Sequence, residues 1–319
     1  MSHQSRMSLE DLDGIFESVK NWGRWGAEDE RGTLNYITPQ HVRAAAGLVR
    51  AGRTVSLSIP IRTDPDPENP WPALHHMTLN GDTEMHESVR NDPDGSDEPR
   101  WNQDFIGMNY HGESHSHIDA LCHCLYRGRL YNDISTSSVT SRGAERGGMG
   151  VAEHGIATRG VLLDIPRLRG VPWLEPGTAI FVEELEAAEE AAGLRVDQGD
   201  VFLVRTGQGR RRAELGAWPS WDHSSNVHPT TMVWLHDRRV AVFGSDGNSE
   251  TNPGPIRGSR SPNHAVAIAA MGMHLMDNLD LEDLATVCEQ EGRWEFQCVI
   301  APLRLRRATG SPINPIAIF

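Results

Sequence analysis

The chain predicts one mixed α/β domain with a substantial β core. Three observations carry that expectation: strand-like apolar runs outnumber helix-like ones, no period of roughly 20–50 residues recurs, and no linker composition divides the chain. Its 319 residues exceed the ~100–200 common for one domain, but single α/β and all-β domains reach this size. Thr38-Pro39-Gln40 opens the first helix, with Thr38 as cap, Pro39 in the first turn and Gly52 after the last periodic residue. TVSLSIPI (54–61) alternates like a half-buried strand. Residues 63–104 are rich in Pro, Asp, Asn and Gly and too long for a simple connection, which suits a lid or substrate-facing loop. GVLLDIP (160–166) and DVFLVRTG (200–207) read as strands, with a helix between them that ends at Gly193. VAVFGSDG (240–247) is another strand. One helix starts after Pro262-Asn263, a second runs from Asp280 towards Gly292, and EFQCVIAPLRL (295–305) closes as a strand.

Composition removes several functions. The hydrophobic fraction of 38% suffices for a packed core. The formal net charge is −14 and Lys20 is the one lysine, so the surface repels phosphate backbones and nucleic-acid binding is not expected. The N-terminus lacks the apolar run of a secretory signal, and nowhere do ~18 apolar residues follow one another. Cys122, Cys124, Cys288 and Cys298 form no paired framework, and inert buried thiols are expected of them. A reduced cytoplasm is the expected compartment.

The chemistry concentrates in Asn109–His123, where four of the fifteen histidines fall within thirteen residues beside two carboxylates. Along a strand, alternate side chains share a face, which would place His111, Glu113, His115, His117 and Asp119 together. Imidazoles and carboxylates in one row are what a divalent ion draws to ~2.0–2.2 Å. His123 lies six residues beyond His117, or ~20 Å along a straight strand. A helical bend at Asp119 would instead make Asp119 and His123 neighbours on one face. A lone His-x-Asp pair is commonly a surface or capping pair; the whole cluster argues for metal. His111 and His115 each read equally well as ligand or as core histidine.

These residues resemble the cyclase family of metal-dependent hydrolases, which includes kynurenine formamidases, isatin hydrolase and a dienelactone hydrolase. Its signature, His-x-Gly-Thr-His-x-Asp-x-Pro-x-His, matches at His117, Asp119 and His123, while Ser116 replaces Thr and Leu121 replaces Pro. The first His falls on Glu113 and the Gly on His115; longer members carry a His-Gly pair upstream, here His111-Gly112. NWGRWGAEDERGTLNYITP, GDVFLVRTG, FGSDGNSE and PNHAVAIAAMGMHLMDNLDLEDLA also read like those longer members. The resemblance implies a single domain over 1–319 of the swivelling β/β/α type, assembled as a homodimer or homotetramer.

His117 and Asp119 are therefore expected to bind metal, with Glu113 or His115 as third ligand. By the same resemblance, His264 and Asp277 are counterparts of a later His/Glu pair that helps hold a second ion. With Glu113 at the first-His position and Asp277 in place of Glu, the two-ion site is expected to be incomplete and to hold one tightly bound ion, Mn²⁺ or Zn²⁺. Such an ion lowers the pKa of bound water to ~7 and supplies hydroxide at neutral pH. His123 is the expected general base or proton shuttle, and His264 the second catalytic candidate. Asp246 and Glu250 could orient a ligand histidine, and Trp22 and Trp25 could wall a pocket for a planar ring. The expected function is hydrolysis of an amide, imide, lactam or lactone of a small cyclic or aromatic substrate. The alternatives are a polyketide-type cyclase using the same metal and a non-enzymatic structural metal site. A structural zinc site is normally closed by four ligands, whereas three good ones leave room for water and favour an enzyme.

Overall fold

The computed structural model describes residues 6–80 and 101–319. The strands that frame the site are β1 (Thr54–Ser56), β2 (Leu74–Leu79), β3 (Gln103–Gly107), β4 (His117–Asp119), β5 (Ile156–Asp164) and β6 (Val201–Arg205). They continue as β7 (Val242–Ser245), β8 (His274–Asp277), β9 (Glu295–Ile300), β10 (Gly310–Pro312) and β11 (Ile316–Ile318). Nine of them form one mixed sheet in the order β1-β11-β9-β5-β6-β7-β8-β4-β10. The central β5-β6-β7-β8 run is parallel, and the flanking pairings are antiparallel.

Parallel strands are buried on both faces, which explains why these segments read as near-continuous apolar runs. Leu162, Val201, Leu203, Val242 and Met276 enter one core cluster. Their neighbours Val161, Leu163, Phe202, Val204, Phe243 and Leu275 enter the other. Each such buried side chain contributes ~1.5–3 kcal/mol relative to exposure. Between the parallel strands run α3 (Val182–Ala192), α5 (Thr231–Asp237) and α6 (Pro262–His264), the last continuing as a π-helix over Ala265–Met271. The remaining helices used below are α1 (Leu9–Ser18), α2 (Pro39–Ala46), α4 (Gln208–Leu215) and α7 (Glu282–Glu291).

The expected helices and strands are present, with shifted ends. α3 and α7 stop where expected, at Gly193 (φ 65°) and Gly292 (φ 61°). α2 ends at Ala46, short of Gly52. The strand expected over 54–61 ends at Ser56 and makes only a further bridge from Ser58 to Leu279. β9 ends at Ile300, because Pro302 cannot donate to a ladder. Where it is described, the segment 63–104 expected as a lid or substrate-facing loop carries β2 and the start of β3, and Glu68 and Trp71 within it line a cavity. β2 pairs antiparallel with β3, and residues 81–100 lie outside the described residues. No helix among the described residues is long and apolar enough to cross a membrane.

One close backbone contact anchors the helix that carries His264. Gly272 ends the π-helix at φ 68°, and its carbonyl accepts from the Thr33 N–H at 2.8 Å. A Cβ on Gly32 (φ 55°) would sit 1.9 Å from that same carbonyl oxygen. Gly32→Ala is expected to cost about 2–4 kcal/mol through overlap and left-handed strain. Gly14→Ala, at an open position in α1, should be neutral or stabilising by up to ~1 kcal/mol. Urea denaturation of both variants checks this; equal midpoints would refute the contact.

Candidate metal centre and its cavity

β4 is three residues long, held antiparallel between β8 and β10, and buried throughout. Strand alternation sends Ile118 into the core and leaves His117 and Asp119 on the opposite face. The register sets Asp277 directly across from His117. Both carboxylates therefore reach one spot beyond the carboxyl end of β8, where ligand sites of parallel sheets form.

Asp119 is fully buried, and among the described residues neither of its oxygens is met by a hydrogen bond of good geometry. Four imidazoles surround it. His111 Nδ1, His117 Nε2 and His123 Nε2 lie 3.0, 3.5 and 3.9 Å from Oδ1, and His264 Nε2 lies 3.5 Å from Oδ2. Burial alone would raise its carboxyl, but His123, His111, His117 and His264 hold it well below the usual carboxylate range. Two donor sets converge here, His111/His117/Asp119 and Asp119/His264/Asp277, each with ligand atoms within 4.8 Å of one another. Mixed N and O donors, with both Asp119 oxygens orphaned, fit a divalent ion in each set.

The site does not arise from the single row of side chains that alternation predicts. Residues 111–115 form a series of bends, and Gly112 has φ 120°, so the strand begins only at His117. His111 reaches Asp119 from this bend. Its ring stacks on His123, with centroids 3.8 Å apart and planes 5° from parallel, and Nε2 meets Thr309 Oγ1 at 3.0 Å. Glu113 and His115, the two candidates for third ligand, belong to neither donor set. Glu113 accepts from Asn248 Nδ2 at 2.9 Å and Ser220 Oγ at 3.2 Å, and burial pushes its carboxyl up to about 7. His115 is buried beside a separate groove lined by Ile59, Tyr110 and Ile313, and burial followed by Arg62 and His117 lowers its imidazole.

His123 comes within reach of Asp119 by a tight turn instead of a helix: residues 121–123 are a turn, and the His123 N–H donates to the Ala120 carbonyl at 2.9 Å. Burial, only partly opposed by Asp119, pushes its imidazole down to about 4, so it is a free base at neutral pH. His264 is positioned by Glu250, whose Oε1 lies 2.8 Å from Nδ1 and accepts the His264 backbone N–H at 2.9 Å. This leaves Nε2 facing Asp119 and, at 3.4 Å, Asp277 Oδ2. Burial opposes charge on His264, yet Asp277 and Glu250 outweigh it and raise the imidazole well above its ordinary value. Ser249 Oγ donates to Asp277 Oδ1 at 2.6 Å.

Other expectations shift. Asp246 makes no contact with a site histidine; it accepts from the Thr206, Gly207 and Gln208 N–H groups and caps the start of α4. Trp22 donates to the Ala269 carbonyl and Trp25 packs edge-on against Tyr36, so neither lines the cavity. The cavity, about 740 Å³, takes its indoles from Trp71 and Trp221, and its walls include His111, His117, His123, His264, Glu113 and Asn248. Ser220 carries no motif that sequence reading could use, and Asn248 and Ser249 lie in FGSDGNSE without their contacts to Glu113 and Asp277 being readable from it. Glu250 in FGSDGNSE was legible as an orienting group. Cys122 is buried and its thiol pushed up to about 12 by burial, consistent with an inert core residue.

The model of the family named Cyclase, described as "Putative cyclase", matches residues 55–250, well over half of the chain and inclusive of the His111–His123 segment and Glu250. The chain belongs to the Cyclase family. This cyclase-family chain is also similar to a solved structure described as a novel cyclase, at 31% identity and a TM-score of 0.82, covering 95% of this chain and 99% of that one. An isatin hydrolase bound to the product analogue thioisatinate shares the fold at 17% identity and a TM-score of 0.56, covering 88% and 98% of the two chains. Isatin hydrolase A from Labrenzia aggregata, bound to benzyl benzoate, does so at 20% identity and a TM-score of 0.54, covering 86% and 94%. No curated protein matches the sequence. The mixed α/β cyclase-family fold is thus the one the sequence led to expect, and His264 and Asp277 lie beyond the span of the family match.

Proposed function

We propose that this chain is a metal-dependent hydrolase that cleaves a C–N or ester acyl bond (amide, imide, lactam or lactone) in a small cyclic or aromatic substrate. The observation that carries the reading is Asp119, buried and shared by two donor sets whose other members, His111, His117, His264 and Asp277, line a cavity that also exposes His123, a base outside both sets. Isatin hydrolases of the same fold support it.

His111, His117 and Asp119 would hold one ion, and Asp119, His264 and Asp277 are disposed to hold a second. A divalent ion there supplies Lewis-acid polarisation of a carbonyl and lowers the pKa of a water. Glu250 fixes the ring of His264, so that one nitrogen faces the carboxylates. His123 takes the proton of the attacking water and returns it to the departing nitrogen or oxygen, at a position Asp119 and the stacked His111 hold fixed. Trp71 and Trp221 offer apolar walls for the rest of the substrate. Leu74, Met77, Phe105 and Ile106 leave apolar surface exposed on the β2–β3 pair, and we extend the proposal to a homodimer or homotetramer.

Chelation should abolish turnover of N-formyl aromatics, isatin-like lactams or lactones, and Mn²⁺ or Zn²⁺ should restore it. Full activity after verified metal removal would overturn the proposal. Product masses separate this chemistry from ring closure, since hydrolysis adds the elements of water to a cyclic substrate and cyclisation does not.

A further inference from the structure

The cavity carries four carboxyls in its walls, Glu68, Glu113, Glu250 and Asp277, and no lysine or arginine lines it among the described residues. Three of the four have cationic or imidazole partners. Glu68 meets Arg212 Nε at 2.6 Å and Arg62 at 3.6 Å, while Glu250 and Asp277 both face His264. Glu113 differs. Its hydrogen-bond partners, Asn248 and Ser220, are neutral, and the charges nearest to it in effect, Asp277 and Glu68, are acids.

Asn248 and Ser220 come from two separate loops, so the carboxyl is fixed from both sides. A carboxylate offers about four acceptor positions, of which these contacts use two. A buried carboxylate held, among the described residues, only by neutral donors is costly, and a cation arriving from the cavity would offset that cost. On the same cavity, Trp71 and Trp221 keep 72% and 45% of their surface exposed, giving indole faces to the rest of a ligand.

We infer that Glu113 is the residue by which this cavity recognises a protonated nitrogen group, an ammonium or amidinium, on a small ligand with an apolar or planar body. The inference rests on reading this cavity as the substrate site. It assigns Glu113 to substrate selection and leaves metal binding to the two donor sets.

Glu113→Gln tests it with little disturbance, because the amide oxygen can still accept from Asn248 and the amide nitrogen can donate to Ser220. Calorimetric binding to metal-loaded protein would compare benzamidinium with benzamide, a neutral molecule of nearly the same shape. Benzamidinium is protonated at neutral pH and has no lone pair for an ion. Wild type should bind benzamidinium about tenfold or more tightly, the range of one charge-assisted hydrogen bond, and Glu113→Gln should abolish the preference while keeping its metal. A preference that survives in Glu113→Gln, or equal binding of both probes by wild type, would overturn the inference. So would loss of metal from Glu113→Gln, which would make Glu113 a ligand after all. The preference present without hydrolysis of any acyl substrate would sink the hydrolase reading and leave this one standing.

Discussion

Asp119→Asn should strip metal from both donor sets at once. Its carboxylate is the member they share, and His111, His117, His123 and His264 all point at its two oxygens. An amide of the same shape removes the negative charge and turns an N–H₂ towards ring nitrogens that need a cation. Bound metal, measured by elemental analysis after dialysis, should fall to background. Turnover should drop by at least ~10²–10³-fold, the cost of losing one preorganised electrostatic contact. The fold should persist, because Ile118 and the strands on either side supply the local burial. A variant that keeps its full metal complement would show that the two donor sets are not ion sites.

His123 should fail in a different way. It lies outside both donor sets, so His123→Ala is expected to retain metal and lose ~10²–10⁴-fold in rate, the contribution of a positioned base. Alanine also removes the ring stacked on His111, so His123→Phe is the sharper variant: it keeps the stacking surface and cannot carry a proton. The pH profile gives a second readout. Burial pushes the His123 imidazole down to about 4, so the base is lost by protonation only as pH falls towards that value, well below the limb at pH 6–7 that an ordinary imidazole would impose. The wild-type rate should decline on the acid side near pH 4–5, and both variants should lack that decline. Metal-free His123→Phe would instead make His123 a ligand and move the search for the base to His264.

The parts of the site legible in the sequence are those set by short-range geometry. His117 and Asp119 share a face because a strand alternates, and that holds over the three residues of β4. The same rule extended upstream placed Glu113 and His115 beside them and failed, because the left-handed φ at Gly112 and the bends around it break the period. His111 was legible as a histidine beside a glycine but not as the group nearest Asp119. The turn at 121–123 met the need for His123 to come close, by a shape other than the helix that spacing suggested. Asn248 and Ser220 were invisible for a different reason: their roles depend on loops that meet only in three dimensions. In the fold, the parallel strands were readable because burial on both faces writes a continuous apolar run. The ends of the elements were less so, since the strand from Thr54 gives way to a bridge at Ser58 whose partner, Leu279, lies far along the chain.

β4 has a bearing on when, in the life of a newly made chain, this protein can first hold metal. Its two ladder partners, β8 and β10, are synthesised long after it, and Asp277 arrives on one of them. Pairings so distant in sequence close late in folding. During translation His111, His117 and Asp119 therefore emerge without the strands that set their geometry. Ribosome-bound chains stopped before Gly310 should capture Mn²⁺ or Zn²⁺ far more weakly than released ones, so that the choice of ion is made by the finished fold.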